Sequence, residues 1–574
     1  MRVLTAGQMR AVDAATMAGQ GGHAPIPGAK LMEAAGGAAL AYLQRRFAAA
    51  AAGPVVVLCG KGNNGGDGMV LARLLRQRGA EVRVILLADP AALRGDAADQ
   101  WRALQSAGAA VTLAPDAGAW AQARGALAGA RLWVDALLGT GLAAPPRGLV
   151  ADVIAELNRA QPRPPVLAVD LPSGLPADGE WSPATLAEWP WDQVLRADAT
   201  VTFTAPKLGS VSGPGVYLCG DLCVAPIGSA AEIVEAVAPA PAPAGPARPA
   251  GPAAPPGPDL PALAAWLTTA ADAARFLQPR PSDSHKGRFG HVLVLGGSCG
   301  KSGAPAMAAE SALRIGAGLV TAAVPRSVLA AVAAYRPEIM TEPLAETPDG
   351  GVAAGVLQPG VWDALLRGKS VAAVGPGLTA HPDVAATVRQ VVARLPIPWV
   401  LDADGLNAFA GRATELRAAA SPGILTPHPG EMARLLGVST AEVQSHRLAC
   451  ALRLAVATGA VVVLKGFRTL VAAPDGRVYV NSTGNPGMAT GGSGDILTGI
   501  IAGLWGQFPA ADRLAVTAAA VYLHGLAADC AAAAIGEMSL CATDITRSLP
   551  AAMRRARQTA ADVGQEIEIP GELR

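Results

Sequence analysis

This chain of 574 residues contains few cysteines and few lysines, and its net charge is close to zero. Its seven cysteines are dispersed without the spacing of a metal site, which is typical of a reducing compartment, so we expect a cytoplasmic protein. The 46 basic and 45 acidic residues give a net charge of +1, which argues against a nucleic-acid or membrane surface. Because lysine is so rare, each lysine beside a glycine-rich segment is a candidate functional residue.

Long hydrophobic runs are absent as well. No stretch of about 18 apolar residues lacks a charge, a glycine or a proline, so we expect no membrane-spanning helix. The most apolar segment, Leu514 to Ile535, contains His524 and Asp529 and is interpreted as a buried helix of a globular domain. Residues 1–20 mix charged and apolar side chains at helical spacing, and they lack the apolar core of a signal peptide.

The composition changes sharply near the middle of the chain. Residues 238–262 are almost entirely proline, alanine and glycine, which predicts an extended linker. A chain of this length is expected to hold two or three domains. We therefore predict an N-terminal domain over residues 1–237, a C-terminal domain over residues 263–555 and a loose tail over residues 556–574.

Short apolar runs alternate with helical patterns on both sides of the linker. Clear examples are Pro54–Cys59 and Leu132–Ala136 before it, and His291–Leu295 and Val371–Val374 after it. This alternation predicts two doubly wound α/β domains, each with a parallel sheet covered by helices on both faces. Ligands bind such sheets at the carboxyl ends of the strands.

Two glycine-rich segments, one in each half, are candidate phosphate cradles. The first is Asn63–Gly68, and the second is Gly491–Asp495, which is preceded in the chain by Lys465. Glycine lets backbone N–H groups approach a phosphate closely, and the start of a helix favours an anion. Two cradles indicate two sites for phosphate-bearing ligands. Taken alone, the first segment is equally compatible with an ordinary turn, because asparagine and glycine dominate turns.

Three further motifs accompany the first cradle, namely Asp135–Leu142, Ala168–Gly174 and Phe203–Gly209. Together with the cradle they resemble the NAD(P)H-hydrate epimerase family, over about residues 1–228. The resemblance implies a Rossmann-like fold that binds hydrated NADH and hydrated NADPH. The substrate-binding residues that it implies are Asn63, Asn64, Gly65, Gly66, Asp67, Gly139, Thr140, Gly141, Leu142, Ala143, Ala144, Pro145 and Asp170.

The same resemblance implies a potassium ion held by Asn64, Asp135 and Ser173, whose oxygen atoms suit a hard monovalent cation. Hydrated NAD(P)H carries a hydroxyl on C6, and inverting that centre requires C6 to become planar and to be closed again from the other face. We expect Asp170 and Lys207 to exchange the protons that this reaction needs. Pairing of Lys207 with a phosphate remains an alternative, since phosphate binding is a common role of lysine.

A second set of motifs follows the linker. In sequence order the motifs are Lys286–His291, Leu295–Ser298, Ser302–Pro305, Arg336–Met340, Gly375–Leu378, Leu401–Asn407, Leu425–Glu431, Lys465–Thr469 and Asn485–Asp495. In this order they resemble the ADP- or ATP-dependent NAD(P)H-hydrate dehydratases, over about residues 272–550. The resemblance implies a ribokinase-like fold. It assigns the adenine nucleotide to Lys465, Gly466, Phe467, Arg468, Thr469 and Gly494, and the hydrated cofactor to Ala304, Gly377, His428 and Asp495.

The second cradle suggests phosphoryl transfer to the C6 hydroxyl, which would turn a poor leaving group into a good one. Asp495 follows the glycines and is placed to take a proton from an attacking hydroxyl; the alternative is an ordinary acid in the first turn of a helix. Magnesium should accompany the ADP or ATP and neutralise its phosphates. Glu431 is a candidate to contact that magnesium through water, and a surface acid at a helix start is an equal alternative.

Two segments depart from what the two families usually show. Residues 180–196 form a longer segment rich in tryptophan and proline. Lys301 stands where the dehydratases often have a tyrosine, so we expect it to replace an aromatic contact in that part of the pocket.

These observations predict a bifunctional repair enzyme for hydrated NADH and NADPH, with homo-oligomers expected from the resemblance alone. One alternative is that the C-terminal half is a kinase of a vitamin precursor, since the same fold and cradle would serve it. Another is that the N-terminal half is a non-catalytic binding module.

Overall fold

The computed structural model describes residues 1–142, 144–179, 189–238, 260–561 and 567–569. These residues fold into two units: the N-terminal unit comprises the described residues up to 238 together with residues 567–569, and the C-terminal unit comprises residues 260–561. Of the expectations above, residues 239–259 of the linker, residues 180–188 of the longer segment and Ala143 lie outside the described residues.

The N-terminal unit is built around a parallel sheet. The unit begins with a short strand outside this sheet, β1 (Arg2–Val3). The strands of the sheet include β2 (Val55–Cys59), β3 (Val82–Leu86), β4 (Ala110–Leu113), β5 (Leu132–Ala136), β6 (Val166–Val169), β7 (Ala199–Phe203) and β8 (Asp221–Ala225). Seven of them pair in parallel in the order β4-β3-β2-β5-β6-β7-β8. Every residue of β2 is buried, as expected for a strand covered on both faces.

Helices of this unit connect the strands and cover the sheet. They are α1 (Ala6–Met17), α2 (Gly28–Arg46), α3 (Ala48–Ala51), α4 (Asn63–Gln77), α5 (Gly95–Ser106), α6 (Ala117–Ala123), α7 (Leu149–Arg159), α8 (Leu208–Val211) and α9 (Ala231–Val237). The chain order of the strands reverses between β2 and β5. A crevice therefore opens at the carboxyl ends of these two strands, which is where doubly wound folds bind ligands.

The C-terminal unit has a mixed sheet. Its strands are β9 (Ala264–Leu267), β10 (His291–Leu295), β11 (Leu319–Pro325), β12 (Met340–Leu344), β13 (Val371–Val374), β14 (Trp399–Leu401), β15 (Gly423–Leu425), β16 (Val461–Leu464), β17 (Leu470–Ala472) and β18 (Arg477–Val480). They run in the order β12-β11-β10-β13-β14-β15-β16-β17-β18-β9. Strands β16, β17 and β18 pair antiparallel, and the other neighbours are parallel. The strand order reverses between β10 and β13.

Twelve α-helices are described in this unit. They are α10 (Ala270–Ala274), α11 (Gly303–Arg314), α12 (Leu329–Tyr335), α13 (Pro359–Leu366), α14 (Pro382–Arg394), α15 (Asp404–Asn407), α16 (Pro429–Leu436), α17 (Thr440–Ser445), α18 (Arg447–Thr458), α19 (Ser493–Gln507), α20 (Arg513–Ile535) and α21 (Ala542–Ala561). By length and composition α20 could cross a membrane, and 67% of its most apolar window is buried in the protein. Both units are α/β, which confirms the predicted fold class.

The predicted loose tail over residues 556–574 is wrong in its described part. Helix α21 continues to Ala561, and Ala556 is fully buried on it. Ile567–Ile569 form a further strand, β19, which pairs antiparallel with β8 of the N-terminal unit. The physical reason is the apolar–polar–apolar alternation of this strand, which buries Ile569 and leaves Glu568 outside to form an ion pair of 2.6 Å with Arg45.

Candidate functional sites

The first glycine-rich segment lies at the reversal of strand order in the N-terminal unit. It is not an ordinary turn but the first turn of a helix, because α4 already begins at Asn63. Backbone N–H groups at the start of this helix have no partners within the helix and favour an anion. Gly65 is required there because a Cβ would lie 1.9 Å from the carbonyl oxygen of Gly60. The helix can therefore start directly against the end of β2.

Lys207 and Asp170 form a buried ion pair beside this helix start. The Lys207 Nζ lies 2.5 Å from Oδ1 of Asp170, and it also donates to Thr202 Oγ1 at 2.8 Å and to the Phe203 carbonyl at 3.1 Å. The lysine is only 1% exposed. Asp170 directly follows β6 and has a φ of +65°, a left-handed conformation that non-glycine residues rarely adopt. Such strain is typical of functional positions.

Two more carboxylates share the electrostatic field of this pair. Burial raises the pKa of Asp13 to about 6, while Lys207 lowers it and Asp170 raises it further. Burial and the charge of Asp170 hold the pKa of Asp67 well above its usual value. The motifs had included Asp67 but missed Asp13, which lies on α1 far from them in sequence. Asp13, Asp67 and Asp170 thus share one electrostatic environment with Lys207, a grouping suited to moving protons.

Asp13 reaches the site because the residues around it are fixed to the Lys207 segment. Leu4, just before α1, pairs with that segment: its N–H donates to the Pro206 carbonyl at 3.0 Å. One turn beyond Asp13, Thr16 donates to Ser229 Oγ at 3.1 Å. Helix α1 is thereby fixed next to the Lys207 segment, and the charges of Lys207 and Asp170 both act on Asp13.

The three residues implied to hold potassium are connected around the carbonyl of Leu138. Asn64 Nδ2 donates to this carbonyl at 2.9 Å, and Ser173 Oγ lies 3.3 Å from it. Ser173 also donates its Oγ–H to Asp135 Oδ1 at 2.5 Å and its N–H to Oδ2 at 2.7 Å. Asp135 is fully buried, and burial raises its pKa to about 6.

The other implied substrate residues of this unit follow β5. Gly139 lies against two of the residues already described, since a Cβ there would be 3.2 Å from Asn64 and 3.4 Å from Asp170 Oδ2. The described residues that continue this loop are Thr140, Gly141, Leu142, Ala144 and Pro145. The structure thus brings the start of α4, the loop after β5 and Asp170 to one edge of the sheet.

In the C-terminal unit, the loops after β10 and β13 meet at the reversal of strand order. Ser298 Oγ donates to the Gly377 carbonyl at 2.8 Å. Ala304, in the first turn of α11, lies against Gly377, because a Cβ on that glycine would be 3.1 Å from the alanine Cβ. Two of the residues implied to bind the hydrated cofactor are therefore neighbours.

Lys301 lies next to these residues, where the dehydratases often have a tyrosine. Its Nζ donates to the Leu378 carbonyl at 2.9 Å and lies 3.1 Å from Asp404 Oδ2. About half of its side chain is exposed, so the amine lies on the rim of the crevice.

Lys465 is the centre of the charged cluster in this unit. Its Nζ lies 2.8 Å from Asp402 Oδ1 and 3.7 Å from Glu431 Oε2. Burial alone would lower the pKa of Lys465, but the charges of Asp402 and Glu431 outweigh it and raise the pKa. Burial raises the pKa of Glu431 to about 7. A Cβ on Gly494 would lie 3.2 Å from the Lys465 Nζ, so the structure brings the lysine to the glycine cradle.

Asp495 lies in the first turn of α19, which begins at Ser493 after a left-handed Gly492. Burial and the charge of Asp402 raise the pKa of Asp495 to about 7, and Lys465 partly offsets this. The carboxyl can therefore hold or release a proton near neutral pH, which an ordinary exposed acid in a first helical turn would not do.

The remaining nucleotide residues form the tight connection from β16 to β17. Arg468 has a φ of +52°, and its guanidinium stacks 5.0 Å from the ring of Phe467. Thr469 Oγ1 donates to the Gly466 carbonyl at 2.8 Å, which closes the turn. The segment thus extends from Lys465 at the centre of the site towards solvent.

His428 has a structural task that the sequence had not indicated. Its Nδ1 accepts the N–H of Gly430 at 3.0 Å, and Glu431 Oε2 accepts the N–H of His428 at 2.8 Å, so both side chains cap the start of α16. Burial and the nearby Lys465 lower the pKa of His428, and its ring is 49% exposed. Its Nε2 lies 3.4 Å from Glu431 Oε1, and the exposed part of the ring is left for a ligand.

Asp402 and Thr498 were missed as members of this site. Asp402 is 1% exposed; one of its oxygens accepts from Lys465 and the other accepts from Thr498 Oγ1 at 2.7 Å. Asp402 lies in a motif that the sequence had singled out, but nothing there distinguished it from Asp404. Thr498 carries no sequence signal, because it lies one turn inside an apolar helix.

Two family profiles match the chain. The profile described as NAD(P)H-hydrate dehydratase matches residues 292–551, and the profile described as YjeF-related protein N-terminus matches residues 28–209. The bifunctional NAD(P)H-hydrate repair enzyme Nnr of Moorella thermoacetica is 42% identical over 549 residues, which cover 94% of this chain and 96% of that protein. The enzyme of the same name from Escherichia coli is 34% identical over 506 residues, which cover 86% and 84%.

Among solved structures, the ADP/ATP-dependent NAD(P)H-hydrate dehydratase of Bacillus subtilis, co-crystallised with ATP and Mg²⁺, is 30% identical. It covers 52% of this chain and 99% of its own length, with a TM-score of 0.43. The sequence matches confirm both resemblances drawn from the motifs, and they favour the repair enzyme over the vitamin-precursor kinase and the binding module. The chain belongs to the family of bifunctional NAD(P)H-hydrate repair enzymes.

Proposed function

We propose that the N-terminal unit interconverts the two C6 epimers of hydrated NADH and NADPH, and that the C-terminal unit dehydrates the S epimer at the expense of ADP or ATP. The observation that carries the proposal is a repeated arrangement. Each unit places a lysine–carboxylate pair beside a helix start at the carboxyl edge of its sheet, Lys207 with Asp170 and Lys465 with Asp402. The names of relatives that match most of the chain support it.

In the N-terminal unit, Asp170 is proposed to accept the proton of the C6 hydroxyl while the C6–N1 bond breaks, so that C6 becomes a planar carbonyl carbon and N1 keeps the electron pair of that bond. N1 then attacks the other face of C6, and the proton returns to the oxygen. Lys207, 2.5 Å away, holds the carboxylate in place and shares the proton until the centre is closed from the other face. Gly139 leaves room beside the Asp170 carboxylate for the nicotinamide ring. The start of α4, at Asn63 to Asp67, would bind the pyrophosphate.

The donor set around Leu138 fits a potassium ion. Asn64 Oδ1 is buried and has no hydrogen-bond partner among the described residues, so one oxygen is left for a cation. Asp135 supplies a buried negative charge, and no cation contributes to its pKa in the described part of the chain. Asn64, Asp135 and Ser173 would hold the ion, which would neutralise this charge and make the loop after β5 more rigid.

In the C-terminal unit, Asp495 is proposed to take the proton of the C6 hydroxyl while the hydroxyl oxygen attacks the terminal phosphoryl group of the nucleotide. Lys465 and the N–H groups at the start of α19 face the charge that develops on that group. The phosphate then leaves C6 with the electron pair of the C–O bond, and a proton leaves C5, which restores the C5=C6 double bond. The balanced products are NAD(P)H, inorganic phosphate and AMP or ADP.

Magnesium would supply charge neutralisation on the nucleotide phosphates. Within the described ranges, no group of three acidic, histidine or cysteine side chains is arranged to hold a metal ion. The phosphates themselves would therefore provide most of its ligands. Glu431, which lies beside Lys465 with a pKa of about 7, remains the proposed contact through water.

The test uses a mixture of both epimers of hydrated NADH with Mg²⁺, K⁺ and either ADP or ATP, and follows the return of the nicotinamide absorbance. Complete recovery that requires a nucleotide would support both halves, and the nucleotide that works would identify the phosphoryl donor. Recovery of only the fraction that was present as the S epimer would refute the proposed epimerase activity. A lasting phosphorylated product, or no recovery with either nucleotide, would refute the dehydratase.

A further inference from the structure

We infer that Asp402 is a positioning residue of the C-terminal site, which holds the ammonium of Lys465 at a fixed place relative to the start of α19. The inference rests on the proposed dehydratase function, and it assigns a role to a residue that does not itself contact the reacting atoms.

The geometry of the two carboxylate oxygens is the main argument. Oδ1 lies 2.8 Å from the Lys465 Nζ, and Oδ2 accepts the hydroxyl of Thr498 at 2.7 Å. Lys465 follows β16, whereas Thr498 lies one turn inside α19, so one carboxylate connects the two elements that form the cradle. No other side chain in the described part of the chain connects the Lys465 Nζ to α19 by hydrogen bonds.

Burial makes this connection rigid. Asp402 is 1% exposed and Thr498 is fully buried, and the backbone N–H of Asp402 donates to the Val374 carbonyl at 3.1 Å. A buried carboxylate is strongly held by its charged partner, since leaving either charge alone would be costly. The ammonium therefore cannot follow the nucleotide freely, and it stays close to the Gly494 backbone.

A fixed cation beside fixed N–H groups is the arrangement that stabilises charge developing on a transferred phosphoryl group. Such preorganised groups lower the barrier because they need not reorient during the reaction. A neutral side chain at position 402 would leave the lysine free to move. The loss should therefore appear in kcat more than in the KM for the nucleotide, because ground-state binding depends less on exact placement.

The test is a double-mutant cycle in the full-length chain, with resolved S epimer, Mg²⁺ and nucleotide. Asp402→Asn should lower kcat by about 10–100-fold with little change in the nucleotide KM. Lys465→Met should lower it as well. If Asp402 acts through Lys465, adding D402N to K465M lowers kcat no further. Effects that multiply in the double variant would overturn the inference.

Asp404→Asn is the matched control, because its carboxylate contacts Lys301 and Asn407 rather than Lys465. Its effect should multiply with that of K465M. The epimerase rate of the same samples measures the amount of intact N-terminal unit, and circular dichroism checks that the C-terminal unit is folded. If the wild-type chain fails to dehydrate the S epimer, the proposed function fails. If it succeeds and the D402N and K465M effects multiply, only the inference fails.

A second pair of variants tests the other oxygen without removing a charge. Thr498→Val removes the bond to α19 and should lower kcat, whereas Thr498→Ser keeps the hydroxyl and should restore most of it. These variants also decide the question if D402N does not fold. Wild-type kcat in T498V would overturn the inference.

Discussion

The Nζ of Lys207 lies 2.5 Å from Oδ1 of Asp170, and Asp170 holds this position with a left-handed backbone. The lysine is almost completely buried, and its ammonium donates to this carboxylate and to two further acceptors, Thr202 and the Phe203 carbonyl. The ion pair and the left-handed backbone together hold the Asp170 carboxylate, a proton acceptor, next to the fixed ammonium of Lys207 at the carboxyl end of β6.

Asp170→Asn should therefore lower the epimerase rate by about 10²–10⁴-fold, the usual share of general acid–base catalysis. The measurement is the conversion of purified R epimer, coupled to dehydration by the unaltered C-terminal unit of the same variant. Direct dehydration of the S epimer by the same variant is the control and should be unchanged. An Asp170→Asn chain that epimerises at the wild-type rate would remove Asp170 from the proposed mechanism.

Asp13→Asn should stabilise the protein above about pH 6. Burial raises the pKa of the folded Asp13 from 3.8 to about 6, so folding opposes its ionisation. This destabilisation is absent below pH 3.8, grows between the two values and is complete above pH 6. Removing the charge should raise the free energy of unfolding by about 1–2 kcal/mol at pH 8. This is less than the pKa shift alone would imply, because the side chain is partly exposed.

Thermal unfolding of the wild type and the Asp13→Asn variant at pH 8 and at pH 4 measures this difference. The variant should unfold at the higher temperature at pH 8, and the gap should narrow at pH 4. A gap of the same size at both pH values would mean that Asp13 is not an ionised, buried acid at neutral pH. If epimerase activity falls while stability rises, the charge is retained for function.

The sequence predicted those parts of the fold that depend on local patterns. Buried parallel strands such as β2 are continuous apolar runs, and the two cradles and their motifs occur in a recognisable order. Pairing with a distant strand was not predictable in this way. Strand β19 has only three residues, and its apolar–polar–apolar pattern is too short to predict a strand until the pairing with β8 is known.

The candidate sites were predictable to the same degree. Residues within the glycine-rich motifs, such as Asn64 and Asp495, were found because their neighbours mark them. Asp13 was not found, because only tertiary packing of α1 brings it to Lys207. Asp402 was overlooked for a different reason: two aspartates share its motif, and only their hydrogen bonds show which of them contacts Lys465.

Dehydration should depend on pH through Asp495, because only its ionised form can take the hydroxyl proton. With a pKa raised to about 7 by burial and by Asp402, the rate should rise with pH through about pH 7 and level off above it. The measurement is kcat/KM for the S epimer from pH 5.5 to 9 at saturating nucleotide. Asp495→Asn should remove the activity across this range.

Glu431→Gln gives this assignment an independent check. The Glu431 charge raises the pKa of Asp495, so its removal should move the rising part of the profile to lower pH. Glu442→Gln is the control, because this acid lies on α17 and is exposed. A profile that stays in place with E431Q, in a variant that still turns over, would argue that another group titrates.

Asn64→Ala should raise the potassium concentration that half-activates the epimerase. The Asn64 Oδ1 is buried and without a hydrogen-bond donor among the described residues, so it is an oxygen that a cation can use. Losing this oxygen should lower the affinity for potassium by about tenfold or more, which is the usual effect of removing one contact from a metal site. The measurement is the R-epimer rate against K⁺ concentration, with choline keeping the ionic strength constant.

Asn63→Ala is the matched control for this titration. The neighbouring asparagine is exposed at the first residue of α4, where it can contact the substrate but not the oxygen atoms around Leu138. It should change the KM for the hydrated cofactor and leave the half-activating K⁺ concentration unchanged. If the wild-type rate does not depend on K⁺, the unpartnered oxygen serves the substrate instead. Asn64→Ala should then raise KM just as Asn63→Ala does.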